Sequence, residues 1–135
     1  MSTFKLPAGR YYIGDPCYVI RNKDWDKVCD EMFKDSEDFE CMIIKILEKP
    51  FFIGRTAYGD GTYRDQENHQ YGVDSGSLGA VPVEIIKNLG IDMFCYDFPN
   101  GLVITYKDGN FDFGGIVINT NWEKTEDEEA YKDYN

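Results

Sequence analysis

Three turns in this chain set a carboxylate beside a glycine at the end of a strand-like segment: Gly14-Asp15-Pro16, Gly59-Asp60-Gly61 and Asp74-Ser75-Gly76. Loops at strand ends are where binding and catalytic residues concentrate, because a rigid scaffold positions them while solvent still reaches them. If the three strands are neighbours, Asp15, Asp60 and Asp74 converge, with His69 on the polar stretch between the second and third turns. Two or three carboxylates with water suit Mg²⁺ or Ca²⁺, and a histidine beside an aspartate can serve as general base; together these describe a small hydrolase. A recognition face is the other chemistry on offer. Tyr18, Tyr58, Tyr63 and Tyr71 lie in the same segments as the turns, with Arg55 and Ser75, and tyrosine supplies rigid contact area with a bonding hydroxyl. Arg10, Arg55 and Arg64 are the cations available to pair with the aspartates or hold an anion. Turn chemistry by itself also explains each aspartate, since Asp bonds its own backbone two residues on.

The elements that must position these groups are legible in outline. Arg10–Ile13 is rich in strand formers and stops at Gly14, and Cys17–Ile20 reads as a second short extended piece. Trp25, Val28, Cys29, Met32 and Phe33 repeat at helical spacing, with Asp24 as the expected N-cap. Cys41–Leu47 and Phe51–Tyr58 are apolar extended runs, and Gly59–Gln70 is an expected polar surface loop. Tyr71-Gly72-Val73 returns to strand character. Pro82 near a first helical position, Val83–Leu89, and Gly90 as a stop predict a second helix. The rest is an expected antiparallel meander: Met93–Phe98, an Asn100-Gly101 turn, Leu102–Lys107, an Asp108-Gly109 turn, and a last strand Asn110–Asn119 bulged at Gly114-Gly115.

Composition bounds the function classes. The chain has 135 residues, a length that fits one domain, and its net charge is −11. Such a field repels nucleic-acid phosphates and anionic lipid, so neither is expected as a partner, whereas a basic protein surface or a small ligand is. Aromatics make up 16% of residues, enough apolar area to offset the entropy of ordering a chain. No apolar run approaches the ~20 residues that span a bilayer. The first residues lack an apolar signal core, so Cys17, Cys29, Cys41 and Cys95 are expected as reduced thiols of a cytoplasmic protein. Cys17 carries some claim to be a reactive thiol, though filler is the plainer role. Glu123–Asp133 holds six acids and two lysines, which predicts a flexible acidic tail over 122–135 behind a single globular domain over 1–121.

Two resemblances accompany these patterns. Val73-Asp74-Ser75-Gly76-Ser77 resembles the active-site turn of aspartic peptidases, which would require a homodimer to supply a second copy. The segment Gly9–Val19 (Gly-Arg-Tyr-Tyr-Ile-Gly-Asp-Pro-Cys-Tyr-Val), with Thr56–Gly61 and Tyr71–Glu84, resembles a small family of uncharacterised bacterial and phage proteins and brings no activity with it. The expected fold is α+β: a mainly antiparallel curled sheet or partial barrel with two short helices. The leading functional expectation is a soluble acidic binding protein whose face is Asp15, Tyr18, Arg55, Tyr58, Asp60, Tyr63, Tyr71, Asp74 and Ser75. The alternative is a hydrolase using Asp15, Asp60, Asp74 and His69, with Mg²⁺ or Ca²⁺.

Overall fold

A computed structural model describes residues 1–32, 34, 40–86 and 94–121. Among these, eleven strands and one α-helix follow in the order β1 Ser2–Leu6, β2 Gly9–Gly14, α1 Asn22–Met32, β3 Cys41–Ile46, β4 Lys49–Arg55, β5 Gly61–Arg64, β6 Gln70–Val73, β7 Ser77–Pro82, β8 Cys95–Phe98, β9 Leu102–Lys107, β10 Asn110–Phe113 and β11 Ile116–Asn119. Every pairing is antiparallel, so the protein is an α+β fold dominated by antiparallel sheet. The described strands do not close into a barrel. They form a four-stranded sheet (β1-β9-β10-β11), a five-stranded sheet (β3-β4-β7-β2-β8) and the two-stranded ribbon β5-β6.

The layering follows from side-chain alternation. In β4, Phe52 packs with Leu78, Ala80, Phe111 and Phe113 in one core, while Phe51 and Ile53 pack with Val28 and Met32 of α1 in another. β2 divides the same way, with Tyr11 and Ile13 on the first core and Tyr12 on the second. The five-stranded sheet is therefore covered on both faces, by the other large sheet and by the helix. That explains why β7 is buried at all six positions and reads as a continuous run rather than an alternating one. β9, with one face on the core, alternates: Leu102, Ile104 and Tyr106 are buried and Val103 is not. Phe52 is the pivot, contacting Phe4, Phe111 and Phe113 edge-on or tilted at ring centroids of 5.3–6.2 Å. A ring buried this way contributes roughly 1.5–3 kcal/mol by area alone.

Several expectations change on this framework. The segment after Gly14 is a 3₁₀ turn over Pro16–Tyr18, because Pro16 fixes the backbone and Asp15 caps it. α1 begins at Asn22, so Asp24 lies inside the first turn instead of capping it, buried and bonded to Arg21 Nε at 3.2 Å. The expected second helix appears within the described residues as a 3₁₀ turn at Val83–Ile85; Lys87–Gly90 lie outside them. Phe33 of the helical stripe and the acidic tail lie outside them as well. The polar stretch Gly59–Gln70 is mostly the β5-β6 hairpin, with Tyr63 and Tyr71 paired across it and buried. Gly114-Gly115 is a two-residue turn between β10 and β11, both residues at positive φ, rather than a bulge in one strand.

Gly79 marks the tightest approach in the sheet. A Cβ there would lie 2.5 Å from the Phe52 carbonyl oxygen and 2.8 Å from Pro16 Cγ. Gly79→Ala is therefore expected to lower stability by ~1–3 kcal/mol through overpacking, read as a fall in the urea midpoint at unchanged m-value.

Candidate functional site

The site forms where the chain leaves β4 and enters β7. Asp60 precedes β5 and Asp74 follows β6, and the register pairs Gly61 with Val73, so the open end of the ribbon brings these two acids together. Both are exposed. Between the turns lies a cleft of about 290 Å³ lined by Met32, Arg55, Asp60, Asp74, Ser75 and Ser77, with Gly59 and Gly76. Met32, the last residue of α1, supplies an apolar contribution to the lining.

Both turns are held firmly. Thr56 is buried; its N–H donates to the Gly76 carbonyl at 3.1 Å and its hydroxyl to the Gly59 carbonyl at 2.7 Å. Tyr63 Oη also donates to the Gly59 carbonyl, at 2.8 Å, and Tyr106 Oη to the Arg55 carbonyl at 2.7 Å. Ala57 N–H donates to Thr120 Oγ1 at 2.9 Å, which ties the first turn to the other sheet.

The second turn rests on Asp15, whose surface is fully buried. Its Oδ2 accepts the N–H groups of Asp74 (2.6 Å) and Ser75 (2.8 Å), and its Oδ1 accepts the Ser75 hydroxyl (2.7 Å) and the Cys17 N–H (2.9 Å). Because the Ser75 hydroxyl proton goes to Asp15, the Ser77 hydroxyl is the donor in the 2.6 Å contact between Ser75 and Ser77. Tyr18, the last residue of the 3₁₀ turn, donates its phenol proton to Asp74 Oδ2 at 2.5 Å; that bond, with some desolvation, raises the phenol above its ordinary value of 10. Tyr18 and Tyr58 keep exposed faces of 43% and 47%.

The candidate residues thus separate by role. Asp60, Asp74, Ser75 and Arg55 line the cleft, with Tyr18 bonded at its edge and Tyr58 on the adjoining turn. Asp15 is not a surface residue; its four hydrogen bonds make it the positioning group for Asp74 and Ser75. Tyr63 and Tyr71 belong to the core rather than to a recognition face. Arg10 pairs with Asp97 at 3.1 Å, on β8, and not with a turn aspartate. Cys17 is not an activated thiol: burial, reinforced by the Asp15 carboxylate, pushes it up to about 12.

His69 does not join the aspartates. It lies at the closed end of the ribbon, separated from Asp74 by the length of β6, five residue steps or ~16 Å at ~3.3 Å per residue. There its Nδ1 meets Asp65 Oδ2 at 3.1 Å. Asp65, one more polar residue of the Gly59–Gln70 stretch by sequence, accepts further bonds from the Glu67 and His69 N–H groups and from the buried Tyr71 Oη, which in turn contacts Tyr96 Oη at 3.0 Å. Among the described residues, no group of three or more His, Cys, Asp or Glu is placed to hold a metal ion. His69 therefore does not stand with Asp60 and Asp74, and Asp15 is buried beneath the second turn.

Replacing Asp15 by alanine strands three N–H donors and a hydroxyl, and is expected to cost ~3 kcal/mol or more. Asp15→Asn, which keeps one acceptor oxygen, should cost less; chemical denaturation of the pair checks the order. Asp65 carries a separate pH signature. Burial raises its carboxyl, but the bonds from Tyr71 and from the His69 and Glu67 backbones outweigh it, and the net effect lowers it from the ordinary 3.8. A carboxyl lowered in the native state contributes stability above its unfolded value and loses it as pH falls through the native one. Asp65→Asn should accordingly melt lower than the parent at pH 7, with the gap narrowing below about pH 4.

Comparison with protein-family models, with curated proteins and with solved structures gives no match for this chain.

Proposed function

We propose that this protein is a non-enzymatic binding module whose cleft between the Thr56–Asp60 and Asp74–Ser77 turns takes cationic side chains from a basic partner segment. The observation that carries this reading is the pairing of Gly61 with Val73, which fixes Asp60 and Asp74 at one cleft although they are far apart in the chain. Each part of the cleft suits such a ligand. Met32 gives apolar contact for the methylene stem of lysine or arginine, the two carboxylates attract the charged head, and the flanking tyrosines offer ring faces and hydroxyls. A rigid site of this kind loses little entropy on binding, so modest contacts suffice. The net charge of −11 speeds encounter with a basic segment and disfavours acidic competitors.

This reading places the protein in the cytoplasm as a partner-binding domain, related to the bacterial and phage proteins that its Gly9–Val19 segment resembles. It carries no catalytic step.

A tetralysine peptide is the probe. Titrated against the protein by calorimetry or by NMR shifts at low ionic strength, it is expected to bind with affinity that falls as salt rises. The variant Asp60→Asn/Asp74→Asn should weaken binding ~10-fold or more, ~1.4 kcal/mol. Peptide shifts that avoid Asp60, Asp74 and Ser75, or survive the double variant, would show that the cleft is not the site.

A further inference from the structure

Three two-residue hairpins in this protein share one geometry, and one of them is built from the wrong residues. β9-β10 turns through Asp108-Gly109 and β10-β11 through Gly114-Gly115, each with both residues at positive φ. Such turns favour asparagine, aspartate and glycine, for which the left-handed region costs little. β3-β4 turns in the same way between paired Ile46 and Lys49, yet its two residues are Leu47 at φ 53° and Glu48 at φ 64°. Neither side chain is at home in that conformation. Leu47 is also 62% exposed, so the strain is not offset by burial. A strained turn that presents an apolar side chain to water is a local rule broken without gain to this fold, which is the mark of a residue kept for a partner.

The surroundings specify the partner's chemistry. Lys45 and Lys49 flank Leu47 and are exposed, and the segment Lys45–Lys49 carries a net +1 in a chain of −11. Lys49 pairs with Glu84 at 3.4 Å, but both side chains are about half exposed (51% and 54%), so this is a weak surface pair that a better partner can replace. The complement is an apolar contact bordered by carboxylates, which is the description of the cleft at Met32, Asp60 and Asp74. Within one molecule the two cannot meet. The tip adjoins Lys49 and the cleft adjoins Arg55, the opposite ends of β4, ~20 Å apart at ~3.3 Å per residue.

We propose that the cleft receives the Leu47 hairpin tip of a second copy of this chain, Leu47 against Met32 and Lys45 and Lys49 toward Asp60 and Asp74. The inference rests on the cleft being a site for basic segments and names its occupant. Tip and cleft are different surfaces, so the contact is heterologous and each bound copy still offers one of each. Association is then open-ended, weak because the contact is small, and reduced by salt.

Sedimentation velocity from ~1 µM to ~1 mM protein at low ionic strength tests this. The parent is expected to show a mass that rises continuously with concentration. Leu47→Asn/Glu48→Gly should remain monomeric and, with the turn strain removed, melt about 3 °C or more higher. Asp60→Asn/Asp74→Asn, with an intact tip, should also remain monomeric. An equimolar mixture of the two variants has one working tip for each working cleft and should stop at a dimer. A parent that stays monomeric throughout, or a Leu47→Asn/Glu48→Gly variant that assembles like the parent, overturns the proposal. So does assembly that survives the cleft variant. Because the tetralysine titration uses no hairpin, peptide binding without assembly removes the second copy while leaving the cleft as a site.

Discussion

One buried charge organises the cleft end of this molecule. The Asp15 carboxylate is out of water and takes three backbone N–H groups and a hydroxyl, three of the four from residues 59 and 60 positions downstream. An isolated carboxylate in that position would be strongly destabilising, and a carboxylate without charge partners is tolerated only if its lone pairs are filled. The requirement works in both directions. Asp15 can stay buried only while the Asp74-Ser75 turn presents its amides inward, and that turn keeps its shape only while Asp15 is there to accept them. The outward direction of the Asp74 side chain follows, since its backbone N–H is committed to the interior and its carboxylate is bonded to Tyr18 on the surface side.

Thr56 does by neutral bonds what Asp15 does by charge. It binds carbonyls from both turns, Gly59 and Gly76, and so sets the width of the cleft rather than the shape of either wall. The side chains that line the cleft, Asp60, Asp74, Ser75 and Arg55, are thus separate from those that hold them, Asp15, Thr56, Tyr63 and Tyr106. The holding set is anchored in β2, β4, β5 and β9, all of which contribute to the main core. Preorganisation of this kind places the cost of ordering in folding instead of in binding.

How much of this is written locally in the chain depends on the range of the interaction. The alternation of β9, the glycine turns at Asp108-Gly109 and Asn100-Gly101, and the apolar stripe of α1 are short-range patterns, and they are legible because each is decided by neighbours within a few residues. Asp65 and the β5-β6 hairpin are opaque in the sequence because the hairpin's polar residues face solvent on one side, while its two buried tyrosines look like surface recognition residues until their partners are known, the Gly59 carbonyl for Tyr63 and Asp65 and Tyr96 for Tyr71. The three Asp-Gly turns could be grouped by type, but type alone does not separate a buried acceptor from an exposed ligand. Asp15 differs from Asp60 by the proline that follows it, which starts a 3₁₀ turn and brings the carboxylate inward over Cys17 N–H. That signal was present in Gly14-Asp15-Pro16 and was readable in principle as a cap.

Interaction range also hides the turn at Leu47 within an apolar run. Cys41–Leu47 reads as one strand by composition, and nothing in its periodicity announces that the last residue is a turn. Placement of Ile46 against Lys49 makes it one, and only then does the side chain stand out as misplaced. A hairpin can tolerate such a residue when the strands on either side are well anchored, and here Ile44, Ile46 and Phe51 are all buried on the helix side of the sheet. The strands hold the tip in register against its own preference. Stability taken from the core is thereby converted into a fixed, exposed apolar anchor at the far end of the strand whose other end supports the cleft. Because β4 is central to the sheet and buried on both faces, the two surfaces keep a constant separation and direction, and a contact that joins them in successive copies would repeat with a defined geometry.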